Sequence, residues 1–341
     1  MMTLLIVLAG FAPAWVEREA VAMGFRLHLQ VLAETDASAR AAVDAAVRGL
    51  EELESRVSGW RSDSELARLN GAPIGVPETL SSETFQLLEQ IWNLSARTQG
   101  AFEPAIGAYV DVWDLEGPDS APSHDAIAAV RRAAGHGCFD LRRSATAASR
   151  ECGAAWIDSR VFERGAALAH VGRIFASQDL AAVRVDLGGH LLVTGPGVDG
   201  RDVVGIADPR GTGEPLLEWP GARGAIATAS QPVGSPGPDG RTRRVLDPRS
   251  GGPVEPWGSV TIRTDDPLEA DALSYALFVM GPKQGIRWLA ARPEIEALFL
   301  VESEGEVRAC GRTAIIEALV PVTGGVRRFE REITPGLIRC R

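Results

Sequence analysis

VDLGGHLLVTGPG, residues 185–197, is the most glycine-punctuated stretch of the chain, and its reading separates two fold classes. A glycine pair after an acidic residue can open a nucleotide-binding helix, or it can turn one strand back onto the next. A dinucleotide fingerprint needs G-x-G-x-x-G running straight into a helix, with an acidic residue about twenty positions further on. Here Gly188-Gly189 runs into HLLVTG, whose apolar residues alternate as in a strand. The pair therefore reads as a tight inter-strand turn. Glycine there also lets the backbone approach a ligand closely.

The flanking sequence gives a mixed pattern. FRLHLQVLA (25–33) alternates as a strand, and ASARAAVDAAVRGLEELESRV (37–57) has a helical period with Asp36 as its N-cap. SDSEL opens a short helix. SSETFQLLEQIWNLSARTQG (81–100) is a capped helix starting at Ser81 or Ser82 and ending at Gly100, and SHDAIAAVRRAAG (123–135) is a third. Beyond residue 138 strands dominate. FDLR and AAWIDS form an expected hairpin, VFERGAALAHVGRIFASQ a helix, and AVRVDLGGHLLVTGPG a strand–turn–strand unit. VVGIADP and AIATAS are further strands. PLEADALSYALF and QGIRWLAARP read as two helices before the strand EALFLVES. Without regular βαβ alternation the fold class is α+β, with mixed sheets and packed helices. QPVGSPGPDGRTRR (231–244) is a long loop of the kind that borders sites.

With 341 residues the chain can bury a large core, read as one domain over 15–341 or as two intimately packed lobes. A formal net charge of -10 with scattered Lys and Arg excludes a nucleic-acid partner and leaves a small molecule or another protein. No apolar run is long enough for a transmembrane span. The run Leu4 to Phe11 followed by Ala12-Pro13-Ala14 resembles a short signal peptide over 1–14, although it lacks a positive n-region. A first strand or a mis-chosen start codon are the other readings. The expectation is export to the periplasm or cell envelope, and otherwise a cytoplasmic protein. Four cysteines fit export: Cys138 and Cys152 flank a hairpin, and Cys310 and Cys340 lie in the C-terminal part. Their even number permits two disulfides, but spacing does not fix the pairing. No CxxC or clustered Cys/His spacing suggests zinc, and the five histidines are isolated.

In order, the chain carries AMGFRLHLQV, SGWRSDSELARLN, GAFEPAIGAYVDVW, AAWIDSRVFERGAAL, VRVDLGGHLLVTG, VVGIADP, AIATAS, RRVLDPRSGGPV and SVTIRTDDPLEADALSYALFVMG. This series resembles the FAD:protein FMN transferase (ApbE-like) family from about residue 20 to 310. SELARLN, LDPRSGGPV and EADALSYALFVMG are its most specific pieces. The resemblance implies the flavin-transferase fold. It also implies a Mg²⁺-dependent reaction that cuts FAD at its pyrophosphate, moves FMN to a Ser or Thr of a carrier protein and releases AMP. It places Mg²⁺ on Asp271 and Ser274, i and i+3 on one helical face, with a backbone carbonyl near Glu163 as a third ligand. Flavin-nucleotide contacts fall on Met23, Glu65, Asp158, Gly165, Gly188, Gly189, Thr228, Ser230 and Arg249, and the reaction centre on Arg244 and Asp247.

Several positions depart from the family's pattern. Asp-Leu-Gly-Gly has become Asp158-Ser159-Arg160-Val161, and the following lysine is Arg164. The Asp after the second glycine pair is His190, and the glycine closing ATSG is Ser230 in Ala227-Thr228-Ala229-Ser230. A histidine before the DP motif is Arg244, which can hold phosphate but cannot act as a general base at neutral pH. Phe25 stands where a small hydroxyl residue is usual, and Glu103 and Ala105 replace Asp and Thr. Two functional readings follow: an active FMN transferase, or a catalytically inactive relative serving as a flavin-binding or protein-interaction module.

Overall fold

The computed structural model describes residues 13–59, 61–115, 122–132, 135–211, 214–231, 245–322, 326–328, 333–334 and 337–338. The chain opens with strands β1 (Ala14–Ala22) and β2 (Phe25–Ala33), then α1 (Asp36–Val57), α2 (Glu65–Gly71), β3 (Pro77–Thr79), α3 (Ser82–Arg97), α4 (Gly107–Leu115) and α5 (His124–Arg131). Next come β4 (Phe139–Arg142), β5 (Ala147–Arg150), α6 (Glu163–Ala176), β6 (Leu180–Leu187), β7 (His190–Val193), β8 (Val203–Ala207), β9 (Pro215–Pro220) and β10 (Gly224–Ser230). They are followed by β11 (Leu246–Asp247), β12 (Gly252–Pro253), β13 (Gly258–Thr264), α7 (Pro267–Ala290), β14 (Glu296–Ser303), β15 (Glu306–Arg312) and α8 (Thr313–Ala318). Short strands β16 (Val320–Pro321), β17 (Val326–Arg328), β18 (Ile333–Thr334) and β19 (Leu337–Ile338) complete the described chain.

The main sheet runs β1-β2-β6-β7-β10-β13-β14-β15-β19-β18, with β17 also on β15. Its pairings are antiparallel except β15 with β17. Helices α1, α6 and α7 form a layer on it: α1 packs on β1, β2 and α6, while α7 packs on α6, β10 and β13. The alanine-rich face of α1 (Ala39, Ala42 and Ala46 with Val43 and Leu50) is buried, so small side chains let the helix sit close. At Gly49 a Cβ would lie 2.3 Å from Ile174 Cδ1, which explains a glycine in mid-helix. This arrangement is the α+β class, and among the described residues it shows no βαβ crossover pattern of a doubly wound sheet.

Local chemistry sets the element ends. Thr35, not Asp36, is the N-cap of α1: its hydroxyl accepts from Ser38 N and the Ser38 hydroxyl accepts from Thr35 N, a reciprocal box that places Asp36 in the first turn. Ser64, Ser81 and Ser123 cap α2, α3 and α5. AAWIDS is not a strand; the partner of β4 is β5, and the hairpin FDLR/AASR is closed by the Cys138–Cys152 disulfide. Cys310 is disulfide-bonded as well, and no free cysteine occurs among the described residues. The two helices expected around 267–290 are both present: the span α7 is broken at Gly281, whose φ of 68° and ψ of 169° are not helical, and Pro282, which lacks a backbone donor, follows the break.

Gly188 and Gly189 join β6 to β7 with φ of +58° and +86°, the two positive values that a type I′ hairpin turn requires. Met23 and Gly24 make the equivalent turn between β1 and β2, at +52° and +78°. Because Gly188 N donates to Arg26 O at 2.9 Å, the two turns lie side by side at one end of the sheet. Ile226 of β10 is level with Leu191, so Thr228 to Ser230 run past the end of β7 and pair only with β13.

Replacing Gly189 by alanine should cost about 1–2 kcal/mol, the penalty for a left-handed L-residue. Gly188→Ala should cost more, because its Cβ would also meet Phe25 Cδ1 at 2.8 Å whereas nothing lies within 4 Å at Gly189. Urea unfolding of the two variants measures the difference, and equal losses would contradict the packing. Reducing Cys138–Cys152, 14 residues apart, should lower stability by about 3 kcal/mol in the same assay.

Candidate functional site

The first turn of α6, the two hairpin turns and the start of α7 meet at this sheet end. Phe25 lies against Gly188, and Arg164 of α6 sets its guanidinium over the Phe25 ring, 5.2 Å from the centroid. Arg164 Nη1 donates to Gly188 O at 3.1 Å, while its buried Nε has no partner.

Helix α6 begins after Phe162, which supplies no capping side chain, so its first amides need acceptors from elsewhere. Asp271 of α7 provides one: Gly165 N donates to Asp271 Oδ2 at 2.7 Å. Position 165 must be glycine, since a Cβ would come within 2.6 Å of Asp271 Cβ and 2.8 Å of Pro267 O. The other carboxylate oxygen, Oδ1, accepts from His190 Nε2 at 2.9 Å. Asp271 and His190 are 4% and 1% exposed. The acceptor places the imidazole proton on Nε2 and leaves the buried Nδ1 without a partner. Burial holds the His190 pKa below its ordinary value, so the ring is a neutral donor. Burial works against the Asp271 anion too, but His190, Arg164 and the Gly165 amide outweigh it and keep the carboxyl below its usual range.

Two further acids lie beside this pair. Asp158 is buried and receives Arg160 Nε at 2.7 Å and Nη2 at 2.6 Å, a bidentate clamp. Asn70 holds the preceding residue, Ile157, by a reciprocal pair of bonds of 2.9 and 2.8 Å. Glu163 is buried and accepts from Ser159 Oγ at 3.1 Å. Burial first, then the negative charges of Asp158 and Asp271, push its pKa up from 4.5 to about 7.

The fold thus gathers Met23, Asp158, Glu163, Gly165, Gly188, Gly189, Asp271 and Ser274 at one place. Ser274 Oγ donates back to Asp271 O within the helix at 2.8 Å. Thr228 and Ser230 lie on the overhang of β10, with Thr228 Oγ1 bonded to Thr261 Oγ1 at 2.8 Å. Asp247 and Arg249 form a braced turn: Arg249 Nε and Nη2 donate to the two Asp247 oxygens, both at 2.9 Å. Tyr275 ties that turn to α7 by donating to Leu246 O at 3.1 Å, a contact that no motif in the sequence signalled. Glu65, in the first turn of α2, accepts Ser81 N at 2.7 Å and Ser81 Oγ at 3.0 Å at the start of α3. Arg244 lies outside the described residues. On the opposite face of β6–β7 a cavity of ≈ 370 Å³ is lined by His28, Gln30, Arg184, Asp186 and Glu218. His190 pairs with Leu187, and Asp186 with Leu191, so that cavity and the Asp271 cluster face opposite ways.

The arrangement can be tested against Mg²⁺, which takes near-octahedral oxygen ligands and keeps several waters. Asp271 is nearly closed to water and each of its oxygens already accepts an N–H; Asp158 is clamped by Arg160. Among the described residues no group of three or more His, Cys, Asp or Glu side chains is placed to hold a metal ion. As they stand, these residues do not fit a divalent cation.

A family model described as ApbE family matches residues 23–299, which spans every segment of this cluster. The chain belongs to the ApbE family. Among similar proteins, the FAD:protein FMN transferase of Vibrio cholerae is 26% identical over 276 residues, 75% of this chain and 78% of the relative. That of Treponema pallidum is 29% identical over 289 residues, 77% and 78% of the two chains. The solved flavin transferase ApbE from Vibrio cholerae superposes with a TM-score of 0.77 at 22% identity, covering 90% of this chain and 100% of that one. The apo flavinyl transferase ApbE of Pseudomonas stutzeri gives 0.77 at 24% identity, covering 90% and 97%. These structural likenesses establish the flavin-transferase fold.

Glu163 should make stability fall with rising pH. Its folded pKa lies above its unfolded one, so the folded state favours the proton; this group's contribution is fully present below pH 4.5 and is lost as pH rises to about 7. The decline attributable to this group should be on the order of 3 kcal/mol. Denaturant unfolding of Glu163→Gln across that window should lack this part of the slope, and an unchanged slope would remove the assignment.

Proposed function

We propose that this chain transfers FMN from FAD to a Ser or Thr hydroxyl of a carrier protein, releasing AMP. Supporting the reading, beyond family membership, is the meeting at one sheet end of two positive-φ turns, the first turn of α6 and the unpartnered Arg164 Nε. Glycine-bearing backbone turns and a helix N-terminus suit phosphate oxygens. In the reaction the acceptor hydroxyl oxygen forms a bond to the FMN phosphorus and the bond to the AMP oxygen breaks, AMP leaving with that electron pair. The hydroxyl proton is lost to solvent or base. Such transfer is mainly positioning and charge neutralisation.

In this reading Arg164 neutralises a phosphate oxygen, and Asp247 aims the Arg249 guanidinium rather than serving as a base. Asp158 likewise fixes Arg160. The Asp271 and Ser274 oxygens that the resemblance implies for Mg²⁺ are buried and engaged within the protein, so no step runs through the ion. We further infer export to the periplasm or cell envelope, supported by the Cys138–Cys152 disulfide, since such bonds persist in oxidising compartments.

The test is incubation of the purified chain with FAD and an extract of its source cells, following AMP by chromatography and covalent flavin by gel fluorescence. AMP and flavinylated protein should appear in equal amounts, and Arg164→Ala should slow both by about a hundredfold. Binding of FAD with no AMP would overturn transfer and leave a flavin-holding module.

A further inference from the structure

Four of the departures from the family's pattern, Phe25, Arg160, Arg164 and His190, are neighbours in space. His190 is bonded to Asp271, Arg160 clamps Asp158, and Arg164 bridges Phe25 and Gly188. Each therefore occupies an acceptor or a space that a bound cation and its phosphate would otherwise use. We infer that the His190 imidazole and the Gly165 amide complete the Asp271 carboxylate in place of a divalent cation, so that this site takes flavin nucleotide on its own arginines without Mg²⁺. The flavin part of this inference rests on the transfer reading above; the metal part does not.

Three observations carry it. First, both Asp271 oxygens are engaged, at 2.9 and 2.7 Å, by donors that cannot leave without stranding a buried carboxylate. Second, Asp271 and Ser274 are 4% and 1% exposed, and the Ser274 hydroxyl turns back onto its own helix, leaving no room for the waters that Mg²⁺ retains. Third, the positive charge that a cation would bring is present in the fold: Arg160 sits on Asp158, and Arg164 stands at the glycine turn with a buried, unpartnered Nε. Both are permanently charged and need no cofactor.

The test is calorimetric titration of the full chain with MgCl₂ alone, for wild type and for His190→Asp, which puts a second carboxylate beside Asp271. Wild type should give no saturable Mg²⁺ binding at millimolar concentrations, and His190→Asp should gain it. Saturable binding by wild type that disappears in Asp271→Asn would overturn the inference. If His190→Asp does not fold, FAD affinity of wild type in EDTA and in Mg²⁺ decides: the two should agree within about twofold, and a roughly tenfold tightening by Mg²⁺ would overturn it. Failure to bind FAD under either condition would instead sink the transfer reading, and the Mg²⁺ titration would still decide this one.

Discussion

The Asp271 carboxylate is the contact on which this end of the molecule depends. It is buried, and burying an isolated carboxylate costs several kcal/mol unless hydrogen bonds replace the lost water. Gly165 and His190 provide them, and in doing so they join α7 to the first turn of α6 and to β7. The helix dipole of α6 adds to the balance, since its positive end faces the anion. One side chain therefore fixes the relative placement of a helix, a strand and the hairpin turn that precedes it.

Around this contact, the glycines explain the shape. Gly165 is forced by contact with Asp271 and Pro267, and Gly188 by its positive φ and by Phe25. The two hairpin turns end the sheet side by side, while β10 continues past them, which leaves a ledge bordered by Thr228 and Ser230. Arg160 and Arg249 are each locked to an aspartate two residues earlier, whereas Arg164 keeps a buried Nε unengaged. Locked arginines position the backbone; an arginine with spare donors can meet a phosphate.

Much of the fold was legible because its cues are local. The serine caps of α2, α3 and α5, the strand alternation of β2 and the turn at Gly188-Gly189 follow from residues within a few positions of one another. Where reading failed, a competing local interaction won: Thr35 and Ser38 form a reciprocal box that displaced Asp36, and β5 rather than AAWIDS met β4 across the disulfide-closed loop. The break of α7 at Gly281 and Pro282 was legible as well, because both residues normally stop a helix.

By itself the sequence determined the α+β class, most element positions, the glycine turn and the family, each of which rests on periodicity or ordered motifs. Only the tertiary structure decided which partners the site residues meet. Gly165 and Asp271 are 106 residues apart and His190 and Asp271 are 81 apart. No periodicity reports a bond across such distances, because it exists only once the sheet and the helix layer have packed. The same packing decided that Glu65 of α2 bonds Ser81 at the start of α3 and that Asp247 braces Arg249.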